Sequence, residues 1–560
     1  MRFFKKAVAL FITVILIISS TSCFSGLFRP VEGIKGMPAY TLTEDDVKNA
    51  ETLLKEAETI TVENGSTYQM NVAWAEFIDA YYHVSTQANV AFIKYCLDVT
   101  HQTNKQNYLF ASQSASNLYG KYSDSLKAVY NSSARDTFFQ GWSQSEINSI
   151  LNHDENVVKL ENENSALEVE HSALSDKDFY DGTTTIYKKI VKNNNEIAKK
   201  FGYNDYYEYA YAEVYGRVTS TVSETLTVYQ EFKNDVYGKI IGWIDEMKTR
   251  FETVYNEMSQ SEKLTLKNLL ESPYNQNAVN YWDGYLNYLD DNNLSKQLNH
   301  AFEYENVVFA ENSNARDVAF TVYMPEYSKS MCYFGLNYQD IFTISHEIGH
   351  YYANLNGAIN SNSMDLNETH SQSNEMLMLA YLQSTTQEKM FKAVESYVLS
   401  NFFTNVLIGV LIDEFEYNVY KQSSVDNFTS ADFDAIMTTV CNKFGGKDKV
   451  EKYLSNVNKY WRMVVVSQPV YYISYATSAI GAIGLYVKAD EDFKSAKDSY
   501  VYLIEETDAS QGFEKALKSA GYLNPFSDEA FSEINKFITG VGAVGGENQN
   551  GGADNLSLVA

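Results

Sequence analysis

The chemistry in this sequence concentrates in the run Ile344-Ser345-His346-Glu347-Ile348-Gly349-His350. Residues four apart share one face of an α-helix, so a helix here aims the imidazoles of His346 and His350 at a single point. Two imidazoles one turn apart suit a divalent metal, zinc above all. A glutamate beside the first of them, Glu347, stands where it can take a proton from a metal-activated water. The flanks predict the helix itself. Asp340 is a suitable cap, Ile341, Ile344 and Ile348 make an apolar face, and Asn356-Gly357 is a stop, because both residues tolerate the left-handed conformation that ends many helices.

Two imidazoles do not complete a site. One zinc class needs a glycine and then a histidine, three and six residues after the second histidine; here those positions hold Ala353 and Asn356, which excludes it. The remaining source is a carboxylate from a later helix. The segment Asn367-Glu368-Thr369-His370-Ser371-Gln372-Ser373-Asn374-Glu375 offers Glu368 and Glu375, seven apart and therefore on one helical face. One can bind the metal while the other supports a ligand from behind. Glu368 is favoured as the ligand, with Glu375 as the supporting group or the alternative ligand. His370, two residues from Glu368, points elsewhere and reads as a pocket or structural histidine. Three protein ligands leave a fourth position open, which is the mark of a catalytic rather than a structural zinc site.

The HEIGH run followed by Glu368-x-x-Ser371-x-x-Asn374-Glu375 resembles the thimet oligopeptidase and oligoendopeptidase F family of zinc metallopeptidases. In that family the first glutamate of the second pattern binds zinc, which the resemblance carries to Glu368. The stretch Ala198-Lys199-Lys200-Phe201-Gly202-Tyr203 with Tyr206-Tyr207 looks like the opening of that family's catalytic domain. Pro469-Val470-Tyr471-Tyr472-Ile473-Ser474-Tyr475-Ala476 resembles its downstream tyrosine segment, and this implies that Tyr472 and Tyr475 stabilise the oxyanion of a peptide under attack. The histidine often found upstream of those tyrosines has no counterpart near Val465. The resemblance further implies one zinc ion per chain, a helical body around a deep channel, and oligopeptide substrates cut internally. Two other readings stay open: a peptide-binding lipoprotein that keeps a peptidase fold, and a carboxydipeptidase or aminopeptidase of the same ligand class.

The elements that must position these residues are mostly helical. The chain has 560 residues, 45% of them hydrophobic and only six of them proline, with periodic runs of Lys, Glu, Asn and Leu. Polar breaks fall near Asn64-Gly65 and Ser132-Ser133, and Thr43 followed by Asp46 suits a helix start. These patterns predict an N-terminal helical domain over 43–195 and a helical catalytic domain over 196–538. Just before the metal motif the pattern changes. Val307-Val308-Phe309, Val318–Tyr323 and Ser330–Tyr338 are rich in β-branched and aromatic residues, which predicts a small sheet beside the motif helix. Strands there, around Gly335 and Asn337-Tyr338, are placed to align a substrate backbone. The stretch 539–560, rich in Gly and Asn, reads as a disordered tail.

The formal net charge of −28, with no basic stripe, excludes nucleic acid as a partner. At the N-terminus Arg2, Lys5 and Lys6 precede an apolar stretch from Ala7 to Ile18, and Ser20-Thr21-Ser22 leads to Cys23. This reads as a lipoprotein-type export signal over 1–22, with a Gly- and Pro-containing tether over 23–42. Lipidation of Cys23 would anchor the protein to the outer face of a bacterial membrane. The other cysteines, Cys96, Cys332 and Cys441, are far apart and form no CxxC pair, so they read as buried free thiols rather than metal ligands.

Overall fold

Helix ends fall where side chains can satisfy the unpaired backbone groups. Thr43 and Ser66 each form a capping box, with Asp46 and Gln69, and open helices Glu44–Val62 and Thr67–Leu97. Asn64 takes a left-handed φ of 58° in the break between them. A third long helix, Gln102–Tyr130, ends just before Ser132-Ser133. These helices share a core built on Trp74, Phe77, Leu118 and Tyr122, and Trp74 Nε1 donates to Thr61 Oγ1 at 2.8 Å. The computed structural model describes residues 35–540 except 141, 143, 272–275, 358–362 and 509–510. Cys23, the export signal, most of the tether and residues 541–560 lie outside the described residues.

The larger core holds the site. Its centre is helix Glu388–Tyr420, which packs against Val222–Asn256 and against Ile473–Glu491. Among the described residues it is the one helix long and apolar enough to cross a membrane, yet 89% of its apolar window is buried inside the protein, as expected of a core helix. The described cysteines, Cys96, Cys332 and Cys441, are free and buried.

Three strands interrupt the helices: β1 (Val307–Phe309), β2 (Ala319–Met324) and β3 (Lys329–Phe334), in the order β1-β3-β2. β1 runs parallel to the central β3, and β2 pairs with it antiparallel, with Thr321 opposite Cys332. Side chains alternate between the faces of a strand. Val322, Met324, Met331 and Tyr333 therefore pack on helix Thr67–Leu97 through Val90, Ile93 and Cys96. Thr321, Cys332 and Phe334 turn the other way, toward the helix that carries the metal motif. The sheet thus joins the N-terminal helices to the site.

The third strand is shorter than the sequence pattern suggests. It stops at Phe334 because a Cβ at Gly335 would sit 2.7 Å from Val318 N, and because Asn337 folds back onto Asp317 (N to Oδ1, 2.9 Å). The chain then turns to Asp340. Its Oδ1 accepts from the amides of Phe342 and Thr343 at 2.9 and 3.1 Å and starts the motif helix, Ile341–Leu355. That helix ends before Gly357, which takes φ +67°.

Candidate metal centre

The motif helix lies against Met364–Thr385, the helix that carries Glu368. Gly349 makes the approach close. A Cβ there would stand 2.6 Å from Ser371 Cα and 2.9 Å from His370 O, so only glycine fits without moving a backbone. Asn374 bridges the helices: its Nδ2 donates to Ser345 O at 2.7 Å, and its Oδ1 accepts from Tyr285 OH at 2.7 Å.

Across this contact the structure brings together His346, His350 and Glu368, whose ligand atoms lie within 4.8 Å of one another. Glu368 Oε2 is 3.4 Å from His346 Nε2 and 3.8 Å from His350 Nε2. Two donors bound at about 2.1 Å in tetrahedral geometry are roughly 3.4 Å apart, so the separations suit one zinc ion. Glu368 Oε2 is buried and has no hydrogen-bond partner, which is costly unless something positive meets it. Donor chemistry, spacing and the unpartnered oxygen all fit a divalent cation.

Glu375, one of the two carboxylates the sequence offered, stands behind the site. Its Oε1 lies 2.7 Å from His346 Nδ1, which makes Nδ1–H the donor and leaves the Nε2 lone pair to a metal. Burial works against a charged His346, but the adjacent carboxylates of Glu368 and Glu375 outweigh it and hold its proton well above the usual range, so a cation at Nε2 would have to displace a proton there. His350 is pushed down to about 4, chiefly by burial. Burial would raise Glu368, but its contacts with His346, His350 and Tyr471 keep it below the ordinary carboxylate value. Glu375 is raised by burial.

Glu347 is also buried, and loss of water pushes it up to about 7, the range in which a carboxylate both takes and returns a proton. Thr321 on β2 donates to its Oε2 at 2.7 Å. No motif signals this partner, because only the alternation of β2 and its register with Cys332 turn Thr321 to the motif helix.

The tyrosine segment lies on the same site. Tyr475 is half-buried and close enough to Glu368 and Glu347 for both charges to raise it, after desolvation itself. Tyr472 neighbours Tyr460, Tyr475, Tyr338 and Glu416. The hydroxyl that touches Glu368 is that of Tyr471, which donates to Oε1. No sequence pattern assigns Tyr471 a role, although it lies only four residues before Tyr475. His370 is fully buried, neither ring nitrogen has a partner, and burial pushes it down to about 3, so it stays neutral.

No family model matches the sequence, and no curated protein matches it. Solved structures do. A protein assigned as an oligoendopeptidase F superposes with a TM-score of 0.70 at 16% identity, over 90% of this chain and 98% of its own. An inhibitor complex of PZ peptidase A gives 0.68 at 17% identity, over 91% of this chain and 98% of its own. A Bacillus anthracis protein assigned as an oligoendopeptidase F gives 0.69 at 14% identity, over 91% and 99%. At these identities the likeness is one of fold: the chain, mostly α with a small sheet, has the fold of oligoendopeptidase F structures.

Proposed function

We propose that the chain is a zinc-dependent peptidase that cuts short peptides internally, with one zinc ion held by His346, His350 and Glu368. The observation that carries this reading is the unpartnered Glu368 Oε2 set 3.4 and 3.8 Å from two imidazole nitrogens, with the buried Glu347 beside them. The fold it shares with oligoendopeptidase F structures supports it.

Zinc, when bound, supplies Lewis acidity, lowering the pKa of a water toward about 7 and polarising a carbonyl. The protein's own groups do the rest. Glu347, held by Thr321 through Oε2, takes a proton from the attacking water and returns it to the leaving amine. Tyr475, the hydroxyl of the predicted tyrosine pair that borders both Glu347 and Glu368, donates to the oxyanion. Tyr472, behind it among Tyr460 and Tyr338, shapes the wall. β2 is an edge strand beside Glu347; Tyr323 O is taken by Asn89 Nδ2 at 2.7 Å, and the part of the edge nearer Thr321 is placed to pair with an extended peptide.

The test is cleavage of a peptide library read by mass spectrometry, with zinc and after chelation. Internal cuts that need zinc and disappear in Glu347→Gln support the reading. Cleavage that survives the chelator, or in Glu347→Gln, removes it, and release of terminal dipeptides or single residues replaces it with an exopeptidase. We extend the proposal to location: the N-terminal pattern supports export and lipidation at Cys23. In that case Cys23→Ser moves the protein from the membrane fraction to the soluble one, and an unchanged distribution refutes anchoring.

A further inference from the structure

The mechanism leaves Tyr471 unused, although its hydroxyl occupies one oxygen of the proposed ligand Glu368. With Oε1 taken, Oε2 alone faces the imidazoles. Tyr471 also meets the Tyr475 hydroxyl. It thus sits between the ligand and the proposed oxyanion donor.

The backbone that delivers Tyr471 is strained and tightly held. Val470 has φ +63°, a left-handed conformation that a β-branched residue disfavours strongly. Each polar backbone group around it is gripped. Tyr215 OH donates to Pro469 O at 2.7 Å, and Val470 N donates to Glu416 Oε2 at 2.9 Å. Arg217 donates from Nη1 to Val470 O at 3.1 Å and from Nη2 to Tyr471 O at 3.2 Å. Its Nε reaches Asp365 Oδ1 at 3.1 Å, and both side chains of that pair are fully buried. Asp365 in turn accepts from Tyr229 (2.5 Å), Ser474 (2.5 Å) and Thr477 (2.7 Å). Asp365 is three residues before Glu368, one turn away along the same face of the helix. One guanidinium therefore ties the start of the ligand helix to the turn that carries Tyr471.

We propose that Arg217 is a positioning residue for the metal site. By gripping the carbonyls of Val470 and Tyr471 together with Asp365, it keeps Val470 in a turn that its side chain opposes. It thereby keeps Tyr471 on Glu368, so that only Oε2 is offered to the ion. This rests on the zinc reading above. The network takes no part in proton transfer; it fixes which oxygen binds and where.

The experiment measures zinc affinity of the full chain by competition with a chromogenic chelator, and the visible absorption of the protein loaded with Co²⁺. Tyr471→Phe is expected to weaken zinc by about 10–100-fold and to change the cobalt spectrum, the usual effect of losing a group that orients a ligand. Arg217→Gln is expected to do the same. Adding Val470→Gly to Arg217→Gln is expected to recover part of the affinity, because glycine takes the left-handed turn without help. A general packing role for Arg217 would not be rescued by removing another side chain. If Arg217→Gln fails to fold because Asp365 is left as an unpaired buried charge, the comparison is made in Asp365→Asn. Folded Tyr471→Phe with wild-type zinc affinity and cobalt spectrum overturns the proposal, as does an absence of rescue by Val470→Gly. The unmodified protein binding no zinc would instead remove the peptidase reading itself.

Discussion

Gly349→Ala tests how finely the two site helices are set. The added Cβ would meet Ser371 Cα at 2.6 Å, His370 O at 2.9 Å and Asn374 Cβ at 3.3 Å. Two of these atoms are backbone, so no side chain can swing aside. Ordinary carbon contacts are about 3.5–4.0 Å, so the helices must part by roughly 1 Å. Glu368 Oε2 now lies 3.8 Å from His350 Nε2. Two ligands at about 2.1 Å from one ion cannot be more than about 4.2 Å apart, and parting the helices by that amount carries the pair beyond this limit. One ligand is then lost while all three side chains remain. The expected result is a fall in zinc affinity of about 100-fold or more. Overpacking of the kind is expected to cost about 1–3 kcal/mol of stability in the chelator-stripped protein. Chelator competition and urea unfolding read the two effects. A folded Gly349→Ala protein with zinc affinity within about threefold of wild type would show that the helices tolerate separation and that the geometric argument is wrong.

Glu375→Gln is expected to weaken zinc by about 10–100-fold without abolishing it, whereas Glu368→Ala loses it; elemental analysis after gel filtration compares the two, and equal losses would contradict the roles assigned. Thr321→Val removes a hydrogen bond to a carboxylate, so kcat should fall about tenfold or more with zinc content unchanged; loss of zinc in this variant would place Thr321 in the ligand shell instead. His83 on helix Thr67–Leu97 meets Glu326, at the turn between β2 and β3, at 3.0 Å, and that hydrogen bond raises its pKa against the effect of burial. His83 therefore holds its proton more tightly folded than unfolded. Its contribution is complete below about pH 6.5 and is lost as pH rises through the raised folded value. Wild type should exceed His83→Asn by about 0.5–1 kcal/mol at acid pH and by almost nothing in alkali, measured by denaturant unfolding; a gap that widens with pH would refute the pairing.

The sequence and the structure agree best where the candidate site follows from helical spacing. His346 and His350 are four apart, Glu368 and Glu375 seven apart, and helices place each pair on one face. The tyrosine segment offers no such spacing, because its helix starts only at Ile473. Before it, the left-handed Val470 swings the chain, so Tyr471 reaches Glu368 while Tyr472 turns to Tyr460 and Tyr338. β3 ends early for a related reason: Gly335 fits a strand pattern, yet its role is to let Val318 come close. The Arg217–Asp365 pair spans 148 residues of sequence, and no periodicity signals it.

The ligand helix is the least legible element. Asp365, Asn367, Glu368, Thr369, His370, Ser371, Gln372, Ser373 and Asn374 are all polar and all buried, so the run lacks the apolar stripe by which a core helix is recognised. Stability does not explain it. A buried ion pair such as Arg217–Asp365 can often be replaced by well-packed apolar side chains at no loss. Apolar side chains have no directional bonds, however. They could fill the same space but could not hold two carbonyls in a disfavoured turn, fix one oxygen of Glu368 and leave the other free. On the proposal above, the polarity of this core serves what it orients: a carboxylate whose two oxygens are kept distinct, Oε1 tied to Tyr471 and Oε2 left without a hydrogen-bond partner, where a cation would bind.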